Sequence, residues 1–263
     1  METYKQPIYD AVFVPCKEPS LETRAFPEHH LRAVECALAL WITGEASCVV
    51  PLGGHAARYD AIGEEPAWFG TECDWTIQHF VDMGYPASAF RREKRSRKTG
   101  ENFKFAVEDV IDPSNDPTHP SYSEYPGPIA DVLVVTADER MPRIQLWAEL
   151  VLAGIVRKLD FKSSGPVNDP ELTLKELFAY YMQSRHLNIP AGRAGHEKLD
   201  ATSGEGDLRL FWRRYDEAAH RLPPASQGTT IAQIVAHMDT TDIDLDIMES
   251  ARKAAKELAP VAA

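Results

Sequence analysis

At 263 residues the chain fits one large domain or one domain with a smaller companion, and it can bury a full core without disulfide or metal staples. Its composition, 44% hydrophobic and 26% charged, is that of an ordinary globular protein and excludes global disorder. With 28 Lys and Arg against 40 Asp and Glu, the formal charge of −12 argues against broad binding to nucleic acid or to an anionic membrane surface.

The first apolar run, Ile8 to Val14 (IYDAVFV), is stopped by Pro15 and suits a buried strand. Pro27 then opens a helix on which Leu31, Val34, Leu38 and Trp41 repeat at helical spacing as far as Gly44. Ala46 to Leu52, ending in Gly53-Gly54, predicts a second strand. Thr71 with Asp74 three residues on caps a second helix carrying Trp75, Phe80 and Val81 and stopping near Gly84. A short third strand is expected around Ser88 to Arg92, followed by a helix from about Thr99 with Phe103, Ala106, Val107 and Val110 on one face and Pro113 beyond its end. Asp112 to Pro128 is rich in Pro, Ser and Asp and reads as a loop. Ala130 to Ala137 (ADVLVVTA) is the clearest strand, followed by a helix from Pro142 to Gly154 and a last strand through Val156, Leu159 and Phe161.

Five strands alternating with four helices imply an α/β fold with a parallel sheet covered on both faces, because parallel neighbours need crossover connections. Beyond Ser163 the texture is helical: a helix from Asp169-Pro170-Glu171, then Asp207 to Leu222, Thr229 to Met238 and Asp244 to Leu258. The expected division is an α/β domain over residues 1–166 and a helical C-terminal subdomain over 167–263.

In an open parallel sheet, ligands sit outside the carboxyl ends of the strands. Four loops should meet there: Pro15-Cys16-Lys17, Gly53-Gly54-His55, Arg95 to Asn102 and Thr136 to Arg143. Gly53 and Gly54 allow backbone to approach a ligand, or else form a tight turn. His55 behind them offers an acid or base, or is a plain loop histidine. Ser96, Thr99, Glu101 and Asn102 bring two hydroxyls, a carboxylate and an amide to the start of a helix, whose unpaired N–H groups favour an anion, with Arg95, Arg97 and Lys98 adding charge. The bland alternative is a capped helix with a solvated basic lead-in. Thr136, Ala137, Asp138, Arg140 and Arg143 leave the clearest strand, the two arginines offering forked donors to a carboxylate or phosphate or pairing with local acids. Cys16 beside Lys17 is either an activated thiol or a packed one.

The four cysteines, Cys16, Cys36, Cys48 and Cys73, show no C-x-x-C or zinc spacing, and His29-His30 are adjacent rather than a helical turn apart, so no metal is expected. METYKQPIYD lacks the layout of a signal peptide, and no run approaches 18 apolar residues. A soluble, cytoplasmic protein with no membrane or nucleic-acid partner is expected.

Three segments, HHLRAVECALALWITGEASCVVPLGGH, TECDWTIQHFVDMGYPASAFRREKRSRKTGENFKFA and ADVLVVTADERMPRIQLWAELVLAG, together resemble the YdcF-like family, the SanA and ElyC group. The sharpest elements are Gly53-Gly54, Glu72 at a helix start, Ser96-x-x-Thr99-x-Glu101-Asn102, and Val135-Thr136 followed by Met141-Pro142-Arg143. The resemblance covers roughly Asp10 to Phe161. It implies a Rossmann-like α/β/α domain with an S-adenosylmethionine-type or nucleotide-like ligand at the four loops. Two positions depart from the family pattern: Pro15-Cys16-Lys17 replaces a Gly-rich turn, and Arg140 stands where the family has a histidine, which favours binding of an anionic group.

The leading expectation is a small-molecule enzyme, a transferase binding S-adenosylmethionine or a nucleotide. Its candidate catalytic groups are His55, Glu101 and Arg140. Cys16, Lys17, Gly53, Gly54, Glu72, Arg95, Ser96, Thr99, Asn102, Thr136, Ala137, Asp138 and Arg143 are the candidate ligand contacts. A hydrolase or transferase acting on a phosphorylated or anionic metabolite, and a non-catalytic sensor or partner-binding protein, are the competing readings.

Overall fold

Short apolar runs that bury both their faces can stand side by side only in a sheet covered by helices above and below. In the computed structural model, β1 (Ala11–Pro15) and β2 (Val49–Leu52) are buried at every position and β3 (Asp131–Thr136) at all but its first, whereas β4 (Lys158–Ser163) is part-exposed. They form one sheet in the order β2-β1-β3-β4, every pair parallel. Phe13, at the centre, lies opposite Val50 on one side and Val134 on the other. The structure describes residues 6–17, 19–20, 23, 25–55, 70–119, 127–167, 169–185, 205–223, 229–241, 243 and 245–257. The expected 112–128 loop therefore falls in part, at 120–126, outside the described residues.

The period-2 alternation of the strands decides which helix meets which face. Val12, Val14, Leu133 and Val135 form one core with Val34 and Leu38 of α1 (Glu28–Ile42) and Ile77 and Phe80 of α2 (Glu72–Asp82). Phe13, Val132 and Val134 point the other way. There α3 (Thr99–Ala106) and α5 (Met141–Leu152) lie against each other and touch β2, β3 and β4. Thr71 caps α2 as its sequence suggests, its hydroxyl accepting from the Asp74 amide at 3.1 Å.

Two sequence expectations are corrected. The strand expected around Ser88 to Arg92 is a 3₁₀ turn, Ala87–Ala89, followed by two isolated parallel bridges to β2, Val49 with Phe90 and Leu52 with Glu93. The four residues from Phe90 include two arginines, and these reach away from the sheet: Arg91 donates to Ser114 Oγ at 2.9 Å and Arg92 lies 3.6 Å from Asp74. The described sheet has four strands rather than five. The helix expected from Thr99 through Val110 stops at Ala106, and the loop expected from Asp112 begins helical. The chain passes from α3 through a π-helical turn, Val107–Ile111, into α4 (Asp112–Asn115). Pro113 falls in the first turn of α4, directly after the π-helical turn.

The chain divides into two compact units, Met1–Val167 with Pro190–Glu197, and Asn168–Ile189 with Lys198–Ala263. The sheet lies in the first. The described part of the second is helical: α6 (Pro170–Arg185), α7 (Glu205–Arg221), α8 (Ile231–Ala236) and α9 (Leu245–Glu257). Phe211, Tyr215 and Ala218 on α7, and Ile247, Ala251, Ala254 and Ala255 on α9, recur at helical spacing and bury together with Leu174 and Val235.

One residue sets how closely α3 approaches α5. A Cβ added to Gly100 would lie 2.2 Å from Cζ3 of Trp147. Gly100→Ala is expected to destabilise the protein by about 1–3 kcal/mol through overpacking, read as a lower urea midpoint. An unchanged midpoint would show that this approach is not tight.

Candidate functional site

Because all four strands are parallel, their exits share one edge, and the strand order reverses between β1 and β3. A cavity of about 110 Å³ opens at that edge. Cys16 and Lys17 reach it from the end of β1, and Glu72 from the first turn of α2. Ser96, Arg97 and Lys98 come from the turn that enters α3 and Thr99 and Asn102 from the start of α3, while Arg140 precedes α5 and Arg143 lies in its first turn. Among the described residues, five cationic side chains thus stand with one carboxylate around a small space.

The cavity lies at the N-terminus of α3, whose Lys98 N-cap supplies no side-chain cap. Amides of a first helical turn, with the helix dipole behind them, favour an anion. Glu101 organises the approach to that turn, its Oε2 accepting from the Arg97 amide at 2.7 Å. Across the space, Arg143 Nη1 donates to Thr99 Oγ1 at 2.5 Å and ties α5 to α3.

Arg140 is buried, and its two terminal nitrogens donate to the carbonyls of Pro15 at 3.1 Å and Cys16 at 3.3 Å. The guanidinium therefore closes the end of β1 where the strand order reverses. A histidine at this position would offer one or two donors instead of a fork reaching two successive carbonyls. Cys16 lines the cavity as a neutral thiol: burial pushes its pKa well above the ordinary value, and the nearby Cys73 and Glu72 push it the same way. The packed alternative holds for this cysteine, and Lys17 does not activate it.

Glu93 is the site residue that reading the sequence missed. It is fully buried directly behind Ser96. One carboxylate oxygen accepts the amides of Arg95 at 2.7 Å and Ser96 at 2.9 Å, and the other accepts the Ser96 hydroxyl at 2.7 Å. Loss of solvation raises its pKa to about 7 against the lowering effect of these three bonds, with Asp109 adding a smaller upward push. In the sequence Glu93 is the single acid among six cations in RREKRSRK. Its one signal is a serine three residues on, which charge counting passes over.

The structure places other expected site residues away from the cavity. Arg95 turns outward: it pairs with Asp109 at 2.6 and 2.7 Å and with Glu108 at 2.7 Å, and lies 4.2 Å over the ring of Phe105. His55 is exposed, edge-on to Trp75 at 6.2 Å. Asp138 is exposed and Ala137 buried, neither lining the cavity. Thr136 is buried behind the cavity, its hydroxyl lacking a hydrogen-bond partner among the described residues. Gly53 and Gly54 serve close packing of protein on protein rather than ligand approach. An added Cβ would stand 2.8 Å from Cys16 Cβ at the first and 2.3 Å from the Ser96 carbonyl oxygen at the second. The Gly54 amide donates to that carbonyl at 2.8 Å and approaches Ser96 Oγ at 3.2 Å.

No family model, curated protein or solved structure matches this chain. Among the described residues, no group of three His, Cys, Asp or Glu side chains is placed to hold a metal ion, and no helix is long and apolar enough to cross a membrane.

The raised pKa of Glu93 fixes the sign of a stability effect. The folded protein holds this proton more tightly than the unfolded chain, so ionisation costs stability: nothing is lost below the ordinary carboxyl range, and the loss grows until the pH passes about 7. Relative to Glu93→Gln, the wild type should lose on the order of 3 kcal/mol between about pH 5 and pH 8 in urea denaturation. Parallel curves for the two proteins would contradict the assignment.

Proposed function

We propose that the sheet-bearing unit is a Rossmann-like, YdcF-like domain whose cavity takes the anionic group of a small metabolite, and that it acts as a hydrolase or transferase on that group. The carrying observation is the lining: among the described residues, five cationic side chains with one carboxylate, at the N-terminus of α3 and at the carboxyl edge of the sheet where strand order reverses. At about 110 Å³ the space suits a phosphate or carboxylate head, below the roughly 300 Å³ of a pocket that encloses a drug-sized ligand. The remainder of such a ligand would extend outward.

Glu72 supports a second reading. A carboxylate set among guanidinium groups suits a head carrying both an ammonium and a carboxylate, as S-adenosylmethionine does. In that reading the domain is a transferase whose nucleoside lies outside the small cavity.

Inorganic phosphate at about ten times its Kd should stabilise the fold by about 1.4 kcal/mol and raise Tm by a few degrees. The rise should shrink in an Arg97→Ala, Lys98→Ala double variant. An unchanged Tm with phosphate in the wild type would sink the first reading, and a rise with S-adenosylmethionine alone would favour the second.

A further inference from the structure

Ser96 differs from the other hydroxyl on the cavity. Thr99 Oγ1 accepts from Arg143, so a cation holds its lone pair. Ser96 Oγ instead donates its proton to the buried carboxylate of Glu93 at 2.7 Å, and its oxygen faces the Gly54 amide at 3.2 Å. The serine is also fixed by its own amide, which the same carboxylate accepts. Ser96 is buried, 2% exposed, at the lining of the cationic cavity, and a hydroxyl bonded to a carboxylate is the pairing of an activated nucleophile.

We propose that Ser96 is a nucleophile for phosphoryl groups and that Glu93 is its base, an inference that rests on the anion-binding reading of the cavity. As a lone pair of Ser96 Oγ forms the bond to phosphorus, the hydroxyl proton passes to Glu93 Oε2. The bond from phosphorus to the leaving oxygen breaks, and the leaving group departs with that electron pair. With an acyl phosphate the leaving group is a carboxylate and needs no proton. Water then attacks the phosphoserine and the bond from phosphorus to Oγ breaks. Oγ recovers the proton held by Glu93, and the second proton of the water goes to solvent. The lining cations offset the phosphoryl charge throughout.

The described groups around Glu93 come from three elements. Asp109 faces it from the π-helical turn and is tied to Arg95. Cys73 of α2 and Cys16 at the end of β1 are thiols that burial holds above their ordinary pKa and therefore neutral. Glu93 itself titrates at about 7, so its base form grows across neutral pH.

The test uses acetyl phosphate as donor, with intact-mass and peptide mass spectrometry on the full chain. The expected result is the mass of one phosphoryl group on Ser96, absent in Ser96→Ala. In Glu93→Gln, labelling should be slower by about 100-fold or more. In the wild type it should rise about tenfold from pH 6 to pH 8, the ratio of ionised fractions for a group at about 7. The pH profile stands by itself if the Glu93 variant does not fold. A flat profile would overturn the role of Glu93. An equal label in Ser96→Ala, or no label in a wild type whose Tm phosphate still raises, overturns the pair while leaving the anion site standing. No label and no Tm rise overturns both.

Discussion

A carboxylate buried at the edge of the sheet governs the rest of the site. Glu93 ends the chain's run alongside β2 and accepts the backbone amides of Arg95 and Ser96. That turn throws Ser96 against Gly54, where only a residue without a Cβ fits beneath the Ser96 carbonyl, and it aims the following residues into α3. α3 in turn sits close enough to α5 for Gly100 to touch the ring of Trp147, which brings Arg143 to Thr99. Each approach leaves no slack for the next, so the position of the cavity follows from the burial of one acid.

The cationic run RREKRSRK is divided among several tasks rather than pooled in one patch. Arg91 and Arg92 hold Ser114 and Asp74, and Arg95 is occupied by Asp109 and Glu108. Arg97 and Lys98 face the cavity. Exposed pairs such as those of Arg95 add little to stability, and their effect is to turn that charge away from the site. The cavity's positive character therefore comes from three separate turns of the chain, and this survives a formal charge of −12 for the whole protein.

The strands and helices were legible because burial on one or two faces leaves a period in the sequence. ADVLVVTA and the repeat of Leu31, Val34 and Leu38 carry that period plainly. The convergence of Lys17, Ser96, Thr99, Asn102 and Arg143 on one edge also followed, since parallel strands must release their loops on the same side, whereas Glu72 was suggested only by the family resemblance. What stayed hidden depends on tertiary partners. Whether Arg140 meets a ligand or two carbonyls, and whether Glu93 is one more surface acid or a buried acceptor, is decided by residues far away in the chain. Gly53-Gly54 looked the same in either role, because a glycine tells where space is short and not what fills it.

The central claim is that this edge of the sheet holds an anion. The most direct measurement is a titration of ¹⁵N-labelled protein with inorganic phosphate, followed by amide chemical shifts. The account expects saturable shifts largest at Ser96, Thr99, Gly100 and Glu101, with smaller ones at Lys17 and Arg143. Shifts centred on the opposite end of the sheet, around Arg157 and Lys158, or non-saturating shifts spread over the surface, would contradict it.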